Sequence, residues 1–130
     1  MTKDEIIKYW LTSSGDDFKV MESLFNDGHY AWALFVGHLV LEKLLKAYYV
    51  KEKDINAPYI HDLLKLAEKS SLDLSEDQKV FLDVMTSCNI RARYPDYKNR
   101  FHKKTTKAFT EDKISGIKEF KAWVLKKIKS

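Results

Sequence analysis

The stretch from Tyr30 to about Lys51 limits what this chain can become more than any other. Its first half is apolar on nearly every side of a helix, and its second half, Glu42 to Lys51, turns amphipathic. A helix that is apolar all round has no face for water and must be enclosed by other elements. The most apolar run, Tyr30 to Leu41, is interrupted by His38 and closed by Glu42 and Lys43. That is too short and too broken for a membrane span, which needs about 20 residues. What remains is the central, most buried helix of a bundle.

The rest of the chain supplies the wrapping. Thr2 and Glu5 form a capping box, in which each side chain satisfies a backbone amide at a helix start. Behind it, Ile7, Leu11, Phe18, Met21 and Phe25, with Trp10 and Leu24 beside them, recur at three- and four-residue steps and fall on one stripe. Gly15 costs this helix about 1 kcal/mol without ending it. Asn26-Asp27-Gly28 is the stop, since Gly28 is free to take the left-handed conformation that closes helices.

After the central helix, Asn56-Ala57-Pro58 breaks the chain, and Tyr59 to Lys69 reads as a short helix with Leu63, Leu64, Leu66 and Ala67 inward. Ser75 and Gln78 repeat the capping box, opening a helix whose apolar face is Phe81, Leu82 and Met85, with Cys88 and Ile90 as further candidates, and which runs to about Ile90. Arg91 through Thr110 contains Pro95 and no sustained period, so a long ordered loop is expected there, of the kind that usually carries function. Thr110, followed by Glu111 and Asp112, is read as the cap of a last helix with Ile117, Phe120, Trp123, Val124 and Ile128 buried. No alternating run argues for a sheet. The expected fold is all-α: one domain over residues 1–130, an up-and-down bundle of four long helices plus one short helix.

Charge is unevenly spread. Residues 1–97 hold 12 basic and 16 acidic side chains, a net −4, while residues 98–130 hold 11 and 3, a net +8, which together give the formal +4. A tail this basic attracts phosphates at long range, although a solvated lysine-rich helix face would look the same. The N-terminus lacks an apolar signal core, the single cysteine, Cys88, has no partner within the chain, and no His or Cys pair has zinc-ligand spacing. A cytoplasmic protein without metal or cofactor is the expectation.

Two groups of residues stand out chemically. His38, Glu42 and Lys46 sit four residues apart and line one ridge of the central helix, where charges demand partners. Equally weighted is a plainer reading: Glu42 and Lys46 as an exposed surface pair and His38 as a satisfied core histidine. The second group is Arg91, Arg93, Tyr94, Asp96 and Tyr97, clustered where a helix meets Pro95. Arginine forks match phosphate oxygens, a tyrosine can hold a ring or a sugar hydroxyl, and Asp96 can orient a guanidinium. The competing reading is a structural lock in which Arg91 or Arg93 pairs with Glu42 or Asp96.

Three segments in order, Leu41-Glu42-Lys43-Leu44-Leu45-Lys46-Ala47, His61-Asp62-Leu63 and Arg93-Tyr94-Pro95-Asp96, resemble successive signatures of the HEPN family (higher eukaryotes and prokaryotes nucleotide-binding). The likeness spans roughly residues 3 to 128, and its most specific piece is Arg-Tyr-Pro-Asp. It implies a four- or five-helix bundle of the nucleotidyltransferase substrate-binding-subunit type. It also implies a homodimer, often paired with a small nucleotidyltransferase as toxin or antitoxin. Many HEPN proteins are metal-independent ribonucleases marked by an arginine followed, after four to six residues, by a histidine. Here the permitted positions after Arg91 hold Asp96, Tyr97 and Lys98, and those after Arg93 hold Lys98, Asn99 and Arg100. Without that histidine, RNA cleavage through its 2′-hydroxyl lacks its usual proton carrier.

The resulting expectation is a non-catalytic or weakly active HEPN module. It would bind a nucleotide or RNA phosphate through Lys46, Arg91, Arg93, Tyr94, Asp96 and Tyr97, with His38 and Glu42 as a structural polar ridge. The alternative is a ribonuclease using Arg93, Asp96, Tyr97 and His102 across a dimer interface. His102 lies far from both arginines along the chain unless the loop folds it back.

Overall fold

A computed structural model describes residues 1–96 and 99–130. Among them six helices form: α1 (Lys3–Asn26), α2 (Tyr30–Glu52), α3 (Leu63–Lys69), α4 (Glu76–Arg93), α5 (Arg100–Lys104) and α6 (Lys107–Lys129). Four are long, and no strand occurs among the described residues. Both capping boxes form: Thr2 with Glu5 opens α1, and Ser75 with Gln78 opens α4. Gly15 sits within α1 without breaking it, and Gly28 takes φ 81° in the turn to α2.

Helix α2 is the axis, packing against α1, α3, α4 and α6. Ala33, Leu34, Val40, Leu41, Leu44, Leu45, Ala47 and Val50 are all buried along it. Around it close Met21 of α1, Leu63 and Leu66 of α3, Leu82 and Met85 of α4, and Ile117, Phe120 and Val124 of α6. Gly37 marks a close convergence of α2 with α1 and α6: a Cβ there would lie 2.6 Å from Ile117 Cδ1 and 3.3 Å from Met21 Sδ. At the far end of α2, Lys51 Nζ donates to the carbonyls of Lys127 and Ser130, placing a cation at the negative end of the α6 dipole.

Three boundaries differ from those read in the sequence, and one further short helix is present. Helix α3 starts at Leu63 instead of Tyr59, because the Asp62 side chain caps it at the Lys65 amide while the Leu63 amide donates to Thr86 Oγ1. Helix α4 continues to Arg93 and ends at Tyr94, the residue that Pro95 bars from helical geometry. The expected 91–110 loop contains a second short helix, α5, entered through Asn99 at φ 54°. Helix α6 begins one turn early, because Thr106 and not Thr110 is the cap: Thr106 accepts from the Phe109 amide, and the Thr110 hydroxyl donates back to the Thr106 carbonyl.

Among the described residues no helix is long and apolar enough to cross a membrane, and no group of His, Cys, Asp and Glu side chains is arranged to hold a metal ion.

Candidate phosphate-binding site

The ridge predicted on α2 exists, and it is internal. Glu42 and Lys46 are 4% and 6% exposed, with Glu42 Oε2 3.4 Å from Lys46 Nζ. The plainer reading of a surface pair therefore fails for these two: each charge has left water and needs the other. Lys46 is also held between rings, its Nζ 5.0 Å from the centroid of Trp10 on α1 and 5.6 Å from that of Tyr59, within range of a cation–π attraction.

The second oxygen of Glu42 goes to a residue from a different segment. His61 Nδ1 lies 2.7 Å from Glu42 Oε1, with the His61 side chain 45% exposed and Glu42 beneath it. His38, also buried, donates from Nε2 to the His61 carbonyl at 2.7 Å. Burial holds the His38 imidazole below its ordinary pKa, outweighing the opposite pull of the His61 carbonyl and Glu42. The ring is thus neutral, and a proton on Nε2 leaves Nδ1 a bare acceptor with no partner among the described residues.

The arginine cluster does not converge on one point. Arg93 turns toward α2, its guanidinium 6.0 Å from the Phe35 ring and 5.2 Å from the Tyr94 ring, and donates to the Tyr94 hydroxyl at 3.2 Å. Arg91 instead lines a cleft of about 420 Å³ between α4 and α5 with Asp96, Arg100, Phe101 and Lys104. The lock imagined from sequence, Arg91 or Arg93 on Glu42 or Asp96, is not the pairing that forms. Glu42 takes Lys46 and His61, and Asp96 takes Arg100, at 3.4 Å to Nε and 3.0 Å to the backbone amide. Lys46, at the other end of the ridge, joins neither arginine. Tyr97 lies outside the described residues.

Helix α5 does fold His102 back. Its Nε2 donates to the Ala92 carbonyl at 3.0 Å, and its ring meets Trp32 edge-on at 5.1 Å. His102 therefore abuts the last turn of α4, one residue from Arg93. Sequence spacing could not have supplied this, nor could it have paired Glu42 with His61. Only the His61-Asp62-Leu63 segment of the HEPN resemblance drew notice to that region.

What fold and ridge define together is first a class: a helical bundle around an enclosed central helix, with an internal ion-paired ridge and a basic cleft at the α4–α5 junction. The chain belongs to the HEPN domain family, whose model matches residues 7–128. In structure it is similar to TT1696 from Thermus thermophilus, with a TM-score of 0.80 and 23% sequence identity over 93% of this chain and 97% of that one. Comparison with curated proteins gave no match.

Proposed function

We propose that this HEPN domain binds a nucleotide or RNA through phosphate in the α4–α5 cleft, and that binding rather than strong catalysis is its task. The observation that carries this is the charge of the cleft: Arg91, Arg100 and Lys104 surround a single carboxylate, Asp96, which Arg100 already engages. Guanidinium forks match phosphate oxygens, and Phe101 in the same wall offers a ring for a base or sugar. The lysine-rich α6 adds a long-range field of the same sign. Consistent with its family, the domain acts in the cytoplasm as a homodimer, beside a minimal nucleotidyltransferase in a toxin–antitoxin-like pair.

The test is binding of adenosine 5′-monophosphate and of a short single-stranded RNA to wild type, Arg100→Ala and Arg91→Glu. Affinity should fall about tenfold or more in each variant and weaken with salt. Equal affinity in all three would refute the cleft.

A second reading, a metal-independent ribonuclease, is favoured by one observation, the return of His102 to the end of α4 beside Arg93. RNA cleavage in excess chelator that is lost in folded Arg93→Ala and His102→Ala variants would establish it. Intact RNA with wild-type protein would dismiss it.

A further inference from the structure

We propose that the α4–α5 cleft selects a terminal phosphate, the monoester end of a nucleotide or strand, over the phosphodiester inside a strand. The inference rests on the phosphate-binding reading above and adds which kind of phosphate the walls distinguish. The two groups differ in charge and in free oxygens. A monoester carries about −1.5 to −2 near pH 7 and offers three oxygens, whereas a diester carries about −1 and offers two.

The walls of the cleft suit the first. Three cations, Arg91, Arg100 and Lys104, stand against the one carboxylate of Asp96, a net +2 among the described residues. Tyr97 and Lys98 lie outside the described residues, and neither brings a carboxylate. Lys113 reaches the same neighbourhood as Arg91, since both charges act on the buried Cys88 thiol, but Asp112 balances it at 3.3 Å. A diester would leave one of the two net charges unmatched.

The cations are also arranged to share one group. Arg100 and Lys104 stand four residues apart on one face of α5, and Arg91 meets them from α4 across about 420 Å³. Asp96 takes the Arg100 Nε and backbone amide, which steadies that guanidinium and leaves its terminal nitrogens for another acceptor. Neither Arg91 nor Lys104 has an ion-pair partner among the described residues. Three donors thus face a group with three free oxygens. A terminal phosphate has one nucleoside to place, and the walls hold one ring, Phe101.

The experiment compares adenosine 5′-monophosphate with its methyl phosphodiester by calorimetry on the full chain at low salt. The ester keeps the nucleoside but carries a single charge that does not titrate near neutral pH. At about pH 7.5 the monophosphate should bind about tenfold tighter, a factor within reach of water-screened charges. Its own second proton returns near pH 6, so the ratio should approach parity by about pH 5, while any titration of the protein is common to both ligands. Arg91→Gln and Lys104→Gln should each shrink the ratio, and Lys118→Gln, an α6 lysine outside the cleft, should leave it unchanged. Equal affinities at about pH 7.5, a preference that persists at about pH 5, or a ratio untouched by both cleft variants would overturn the proposal while leaving phosphate binding in the cleft intact. Binding of neither ligand would remove the phosphate reading itself, and this inference with it.

Discussion

Replacing Lys46 by Met removes a charge while keeping most of the apolar stem, and the structure sets the size of the effect. The Glu42–Lys46 separation of 3.4 Å corresponds to a gross attraction of about 5 kcal/mol at an effective dielectric constant of about 20. Relief from burying the ammonium offsets part of it, and breaking a buried pair on one side costs about 3 to 5 kcal/mol. A loss of about 3 kcal/mol is expected, because Glu42 is left as a buried carboxylate whose remaining partner, His61, is half exposed to water. Urea denaturation followed by circular dichroism, comparing variant with wild type at neutral pH, reads the difference directly; the contribution of His38 is common to both proteins and cancels. A loss below about 1 kcal/mol would refute the account of a buried, mutually dependent pair.

Two further outcomes follow from the same geometry. The folded state holds His38 below its ordinary value of 6.5, so the unfolded chain takes up its proton first. The stability this provides is present above about pH 6.5 and is lost as pH falls below it. His38→Gln, which can still donate to the His61 carbonyl, should therefore flatten the decline in urea midpoint between about pH 7.5 and about pH 5.5, and an unchanged slope would contradict the assignment. At the start of α6, Thr106→Ala should cost about 1 kcal/mol, whereas neutralising Glu111 and Asp112 together should cost almost nothing. The reverse ranking in thermal melts would restore the cap at Thr110.

The long helices were legible because their signals are local. Capping boxes at Thr2 and Ser75, the Gly28 stop and the three- and four-residue apolar steps lie within single segments, and each produced the expected element. The start of α3 was missed because tertiary bonds outweighed local pattern. The Thr86 hydroxyl takes the Leu63 amide, and the residues before it are tied to α2, so Tyr59 to Asp62 stay out of α3. In the 91–110 region the five-residue α5 is too short to show a period, and docking of His102 on Ala92 and Trp32 fixes where it lies. For the candidate site, the ridge of His38, Glu42 and Lys46 was visible as spacing, but its burial and its partners Trp10, Tyr59 and His61 come from separate segments. The arginine cluster was legible as composition only. Arg91 and Arg93, two residues apart on a helix, turn to different surroundings, one to the cleft and the other to Phe35.

Enclosure of α2 also sets how the molecule breathes. Each outer helix can loosen while the others still cover part of the axis, but the amides from Val40 to Ala47 are freed only when the surrounding helices part together. Exchange with deuterium at those amides therefore proceeds through whole-molecule opening, and its rate measures the full free energy of folding. The α5 segment, with no fully buried residue, exchanges through small excursions of its own. One spectrum recorded over time would separate a rigid axle from the short helix that lines part of the α4–α5 cleft.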